Sequence, residues 1–387
     1  MTDVTRGAAL RYRAATQGLA EAPGTVPLAE APVLDIGVQD TGPDGALWAL
    51  TVRGVDVTAW PDDLALAWTV RGAPHAYRTR ELADVAVATA PLSEADAAKR
   101  VVTAAASLRA ARIPVPTALA TVAEAMRRIV TEPMVKGDVS TRLTAALPEP
   151  YLRWCRPCNA THAYEMLFRL AALHAGLTLE PGTSPPVLAP AAALTDRSGR
   201  SRVPELPAVV ATPPQERRVP AHLDVVLAYV RLLGPARPGD VATYLDAPRK
   251  DVTAVLRRLV DAGAVRECTV DGEARLVAAD ARPEAAPEPS GVVRLLGPYD
   301  LFLQARDRDL VVPDRSRHAG LWPVLGRPGA VLADGEVVGT WRPRPSGRRL
   351  GVAVEPWVPW DGRLEDAVDE EIARLAAFRG LEPAGRA

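Results

Sequence analysis

HLDVVLAYVRLLG (222–234), RPGDVATYLD (237–246) and APRKDVTAVLRRLVDAG (247–263) follow one another almost without a gap. The first and third place apolar residues at helical spacing. Asp240 falls in the first turn of the second, where a carboxylate suits the free N–H groups. Gly263 closes the third helix. AVRECTV (264–270) and EARLVAA (273–279) then flank Asp271-Gly272, a pair that favours the type I′ hairpin. Helix, short helix, longer helix and two-stranded wing together read as a winged helix-turn-helix over 221–282. In that motif the third helix enters the major groove of DNA. Arg249 and Lys250 at its start, and Arg257 further along, are therefore candidates for phosphate contact. Nine Arg/Lys stand against nine Asp/Glu over 221–282. That neutrality leaves open a use as scaffold or partner surface.

Working towards the N-terminus, 5–22 reads as a helix, and the run VLDIGVQD (33–40) reads as an extended segment ending in a polar pair. ALWALTVRGV (46–55) is helical up to Gly54. DLALAWTVRGAPHAYR (63–78) suits a hairpin around RGAP, and TRELADVAVATA (79–90) is helical again. Helices ending in a hairpin make 1–90 a first winged module. SEADAAKRVVTAAASLRAAR opens a helical block with Ser93 and Asp96 in a capping-box spacing. TALATVAEAMRRIV, DVSTRLTAALPEPYLRW and THAYEMLFRLAALHAGL continue it, with Gly176 as a C-cap, so 91–190 is read as a helical or second winged module. Pro, Ser, Gly and Thr crowd the chain from Thr178 to Pro220. This reads as an exposed connection, with the linker proper at 191–220.

Towards the C-terminus the texture changes after 283–290. VVRLLGPYDLFLQARDRDLVV, AVLADGEVVGTWRPR and RRLGVAVEPW alternate as strands do, with turns at Asp334-Gly335 and Ser346-Gly347. This makes 291–358 a small antiparallel β domain, followed by a terminal helix and tail over 359–387. The fold class expected is thus α+β: three tandem winged modules, a β domain and a C-terminal helix.

Composition bounds the rest. The 387 residues are 48% hydrophobic and carry a net charge of −1, so no global field draws the chain to nucleic acid, although a local basic face is compatible. Lys99, Lys136 and Lys250 are the only lysines; with abundant Ala and Pro this marks a GC-rich genome and weakens arginine content as evidence. No run approaches the ~20 apolar residues of a membrane span, the first residues lack a signal-peptide layout, and three cysteines are too few for a disulfide framework. A cytoplasmic protein is expected, with no membrane partner.

Several side chains invite chemistry. Cys155, Cys158 and His162 form C-x2-C-x3-H, which suggests zinc. A structural site needs four ligands and no fourth stands at a useful spacing, so two reduced thiols and no metal are expected. No P-loop, dinucleotide fingerprint or hydrolase elbow occurs, so neither a nucleotide nor another cofactor is expected. His75, between Arg71 and Arg78 in the first wing, makes these three candidates for phosphate contact. Arg306 and Arg308 in QARDRD face phosphate or pair internally; the sequence leaves both open.

VLDIGVQD, WTVRGAPHAYR, THAYEMLFRLAALHAGL, the winged module with its Asp-Gly turn, and LLGPYDLFLQARDRDLVV…VLADGEVVGTWR together resemble the AlkZ/YcaQ-type family of winged-helix DNA glycosylases. The pieces lie in the family's order and span most of the chain. The resemblance implies double-stranded DNA as partner and hydrolysis of the N-glycosidic bond of alkylated or bulky-adduct bases. The family's motif is Gln-x-Gln or Gln-x-Asp. Here Gln39 matches its second position and Gly37 stands at its first. Asp35 or Asp40 is then left to supply the missing group; on a regular strand Asp35 would share a face with Gln39. A non-catalytic DNA-binding protein of the same fold is the alternative.

Overall fold

Thr5 ends a two-residue strand, β1 (Asp3–Val4), and caps helix α1 (Arg6–Thr16) by accepting the Ala8 N–H on its side chain. The computed structural model describes residues 2–386 apart from 43, 197 and 199. The helix expected over 5–22 therefore stops at Thr16, and Gly18 turns the chain with φ +78°.

The run VLDIGV does not form a strand. Pro32 opens a 3-10 turn, Pro32–Asp35, that buries Val33 and Leu34. Gly37 then takes φ +85°, which breaks any extended run. Only Val38–Gln39 is extended, as β2. Helix α2 (Gly45–Thr51), strands β3 (Leu64–Trp68) and β4 (Pro74–Arg78) and helix α3 (Leu82–Ala88) complete the first block. The hairpin around RGAP forms as expected, its turn held by Arg71 at φ +58°.

In the second block Ser93 caps α4 (Glu94–Arg100) through the Asp96 N–H. The expected long helix breaks at Val101, after which α5 (Val102–Ala110) begins. Then come α6 (Val115–Ile129), β5 (Met134–Val135) and α7 (Lys136–Ala146). A hairpin, β6 (Leu152–Cys155) and β7 (Ala160–Ala163), precedes α8 (Glu165–Ala172), β8 (Leu177–Leu179) and β9 (Val187–Pro190). The sequence reading found only helices here, because strands of two to four residues are too short for alternation to register. β3 pairs with β8, so one six-stranded sheet, β2-β4-β3-β8-β9-β5, joins the first two blocks. The stretch expected as exposed connection holds β8, β9 and α9 (Leu206–Ala211), whose Leu206 and Val209 are buried in the core of the second block.

The third block runs α10 (Val225–Leu233), α11 (Pro238–Leu245), α12 (Arg249–Asp261), β10 (Val265–Val270) and β11 (Glu273–Ala278), in the expected order. Asp271 and Gly272 turn the hairpin with φ +47° and +78°. β1 adds to β10 in parallel, a long-range pairing that two residues of sequence could not announce.

The C-terminal region is a five-stranded sheet: β12 (Val293–Leu296), β13 (Gly329–Ala333), β14 (Glu336–Ser346), β15 (Arg349–Pro356) and β16 (Glu382–Arg386). Helices α13 (Arg308–Val311) and α14 (His318–Leu321) lie between β12 and β13, and α15 (Gly362–Phe378) before β16. Helix α15 buries Val368, Ile372, Leu375 and Ala376. The last strand pairs in parallel with β15 and was not foreseen.

One hydrophobic core runs through the first block, the third block and the C-terminal sheet, whereas the second block has its own. Trp48 on α2 shows why. It is buried, and its indole N–H donates to the Leu295 carbonyl at 2.7 Å. Removing such a side chain costs about 3–5 kcal/mol. Among the described residues no helix is long and apolar enough to cross a membrane.

Candidate functional site

Gly37 is dictated by its neighbours. A Cβ there would lie 2.4 Å from Cζ of Tyr77 on β4, and the backbone is already left-handed. Tyr77 is buried; its hydroxyl donates to the Ile36 carbonyl at 3.3 Å and lies 2.9 Å from Thr69 Oγ1. Burial pushes the phenol upward, so it stays neutral. His75 completes this network, with Nδ1 3.1 Å from Thr69 Oγ1 and 3.0 Å from the Ala73 carbonyl. Burial, then the charge of Arg71, pulls its pKa down to about 3. A neutral imidazole 1% exposed is a packing group, contrary to its expected contact with phosphate.

Gln39 pairs with His75 across β2 and β4 and remains half-buried. Its Nε2 donates to Thr41 Oγ1 at 3.0 Å. Its Oε1 faces a second amide: Gln304 Nε2 approaches it at 3.4 Å. Gln304, which the sequence reading missed, arrives on the 3-10 turn Leu301–Gln304. Asp300 starts that turn by accepting the Phe302 N–H and is clamped by Arg53, with both N···O distances 2.7 Å. The ion pair is buried and its guanidinium also bonds Gln17. Such a buried pair fixes geometry more than it stabilises, and losing one partner costs about 3–5 kcal/mol. The one signal in sequence was that LFLQ, like VLDIGVQ, is an apolar run ending in Gln.

Neither carboxylate offered for the gap at Gly37 takes the position expected. Asp35 lies in the 3-10 turn, so the strand-face alignment with Gln39 does not exist; it pairs with Arg78 at 2.8 Å. Arg78 is buried and also bonds Glu81 and the carbonyls of Ala29 and Ala31. It holds the 3-10 turn, and has no free face for phosphate. Asp40 turns away from Gln39 and accepts the Ala46 N–H at 2.9 Å, in the first turn of α2. Burial raises its pKa against that hydrogen bond.

A cavity of about 20 Å³ lies beside Gln39, lined also by Thr41, Asp44, Tyr299 and Asp300. That is room for roughly one water molecule, with polar partners to hold it.

Cations flank the two amides. Asp307 settles the open question of QARDRD: it is buried between Arg13 and Arg275, at 3.0 and 2.8 Å. Arg306 and Arg308 on either side are left without it. Arg306 Nε has no partner among the described residues, and burial, then the neighbouring Arg71, draws its pKa down to about 10. Arg71 stacks 4.7 Å over the Tyr244 ring and bonds the Tyr244 carbonyl. Arg308 stacks over Trp322 at 4.8 Å and feels the charge of Arg327, which lies 4.9 Å over Tyr299. Among the described residues these four arginines make no ion pair with a carboxylate. Aromatic faces hold Arg71, Arg308 and Arg327 instead. Arg327 was not foreseen. Arg249, Lys250 and Arg257 stay exposed on α12, with no bond or shared cavity linking them to Gln39. The start of that helix is tied to the second block, where Ser93 Oγ donates to Asp251 Oδ2 at 2.6 Å.

At the hairpin β6–β7, Cys155, Cys158 and His162 converge, their ligand atoms all within 4.8 Å of one another. A hydrogen bond from His162, then one from the Cys158 backbone N–H, holds the Cys155 thiol down to about 7.

The family model for AlkZ-like DNA glycosylases matches residues 53–378. The chain belongs to the AlkZ-like DNA glycosylase family. The matched span includes Arg71, Gln304 and the arginines after it, but begins after Gln39. Among solved structures, the Streptomyces sahachiroi DNA glycosylase AlkZ is similar over 100% of both chains, with a TM-score of 0.70 and 19% identity. That likeness supports the mixed α+β fold. Comparison with curated proteins returned no match.

Proposed function

We propose that this AlkZ-like protein hydrolyses the N-glycosidic bond of alkylated bases in duplex DNA, with Gln39 and Gln304 as the catalytic pair. The observation that carries this is the contact of Gln304 with Gln39, the amide that itself lines a space for one water. The arrangement replaces the missing amide at position 37 by one brought from the C-terminal region. Two amides orient a water and stabilise positive charge developing on the sugar, although neither is an effective base. An alkylated purine ring is itself positively charged and departs readily, so the water needs little activation. Asp40, raised in pKa by burial, supports the start of α2 rather than taking a proton.

Arg71, Arg306, Arg308 and Arg327 bind the phosphates around the extruded nucleotide. We read the three helix-and-hairpin blocks as tandem winged modules facing the duplex, with Arg249, Lys250 and Arg257 giving a further, separate phosphate contact. The test is incubation with alkylated duplexes and detection of abasic sites, comparing the full chain with Gln39→Ala and Gln304→Ala. Release that depends on both amides supports the assignment. The engagement of Asp35 by Arg78 and of Asp40 Oδ1 by the Ala46 N–H favours a second reading, a DNA-binding protein without catalysis. Salt-sensitive binding with no base release would select it.

A further inference from the structure

We propose that the β6–β7 hairpin carries a Zn²⁺ site made by Cys155 Sγ, Cys158 Sγ and His162, with the fourth position open to solvent. The register of the hairpin produces the convergence. Cys155 stands opposite Ala160, and Arg153 opposite His162. Side chains two residues apart share a face, so Cys155 and His162 are diagonal neighbours on one face, and the small Ala160 leaves the space between them open. The turn brings the third ligand back. Asn159, at φ +48°, bends the chain just after Cys158, and the Cys158 backbone N–H points at the Cys155 sulfur. This is how a short C-x2-C turn sets two thiolates on one ion.

The imidazole is oriented for the same task. His162 Nδ1 lies 2.9 Å from the Ala163 carbonyl, to which it donates, leaving Nε2 as the ligand atom. A metal-bound histidine usually gives its other ring N–H to such an acceptor. With Zn–S about 2.3 Å and Zn–N about 2.0 Å, tetrahedral ligands stand about 3.5 Å apart. The present separations within 4.8 Å close to that by small side-chain rotations. Two soft sulfurs and an imidazole select zinc over hard cations.

The sequence argument against a metal was the lack of a fourth protein ligand. That holds for a closed structural site, whereas a site with an open position needs only three. No other His, Cys, Asp or Glu joins the cluster among the described residues, and Cys158 is exposed. The fourth position therefore takes water or an incoming anionic oxygen. The same hairpin holds Trp154, 61% exposed, so metal binding fixes the strand that displays it. The site stands independently of the glycosylase reading.

The experiment is metal analysis of the purified, reduced full chain, followed by Co²⁺ titration after chelation. About one equivalent of zinc and a thiolate-to-cobalt absorption band are expected. Cys158→Ser and His162→Ala should each weaken Co²⁺ binding by about 100-fold or more, above the 10–100-fold cost of losing an outer-shell partner. Cys268→Ala, far from the hairpin in sequence, should keep it, and an unchanged circular dichroism spectrum guards against misfolding. No band from the reduced protein, or a band that survives Cys155→Ser with Cys158→Ser, would overturn the site. So would a stable Cys155–Cys158 disulfide that reduction and zinc do not displace.

Discussion

Tyr77 occupies the volume that a side chain at Gly37 would need, with Cζ 2.4 Å from the position of a Cβ. A side chain at position 37 and the phenol of Tyr77 therefore compete for the same space. Tyr77, Thr69 and His75 make a neutral, hydrogen-bonded support under β2, and Gln39 stands on it.

Gly37→Ala should therefore destabilise the protein by at least about 2 kcal/mol, through overpacking and a left-handed φ. Tyr77→Ala, though destabilising alone, should reduce the cost of a side chain at 37. Urea denaturation of the four-member cycle measures this. The expected coupling is above about 1 kcal/mol, and strict additivity would show that Tyr77 is not what excludes the side chain.

The arginine group makes a salt-dependent prediction. Arg306→Ala and Arg308→Ala should each lower the slope of log binding constant against log salt by about 0.9 for duplex DNA. Fluorescence anisotropy between low and moderate salt reads it. Arg78→Ala should leave the slope unchanged for whatever fraction remains folded, because its guanidinium is spent on Asp35, Glu81 and two carbonyls.

Stability should fall in acid, with a sign set by two buried histidines. Burial pulls His75 down to about 3 and His174 to about 4, below the ordinary value near 6.5. The unfolded chain then binds more protons than the folded one between those limits. Stability is full above pH ~6.5 and is lost as pH drops towards 3, by up to about 1.4 kcal/mol per pH unit for each histidine. Thermal melts across that range should flatten when His75 and His174 are replaced by Gln; an equal slope in the variant would assign the effect elsewhere.

The third block was readable because its helices are amphipathic and separated by turn residues, and Asp271-Gly272 announces its hairpin. The same holds for the hairpin around Arg71 and the turn at Asp334-Gly335. The second block was hidden by strands of two to four residues. The extended reading of VLDIGV failed at Pro32 and Gly37, which impose a 3-10 turn and a positive φ; with it went the face shared by Asp35 and Gln39. Half of the site could not be found by local reasoning at all. Gln304 reaches Gln39 across 265 residues through the Arg53–Asp300 clamp. Asp307 disappears into two buried ion pairs that free its neighbours, a division that charge counting cannot make.

The most direct measurement is single-turnover release of base from an alkylated duplex, read as abasic sites, for the full chain, Gln39→Ala, Gln304→Ala and the double variant. A catalytic pair acting as one unit predicts a loss of about 10²–10³-fold for each single change, and little further loss in the double. Undiminished release from either variant, with DNA binding intact, would contradict a catalytic Gln39–Gln304 pair.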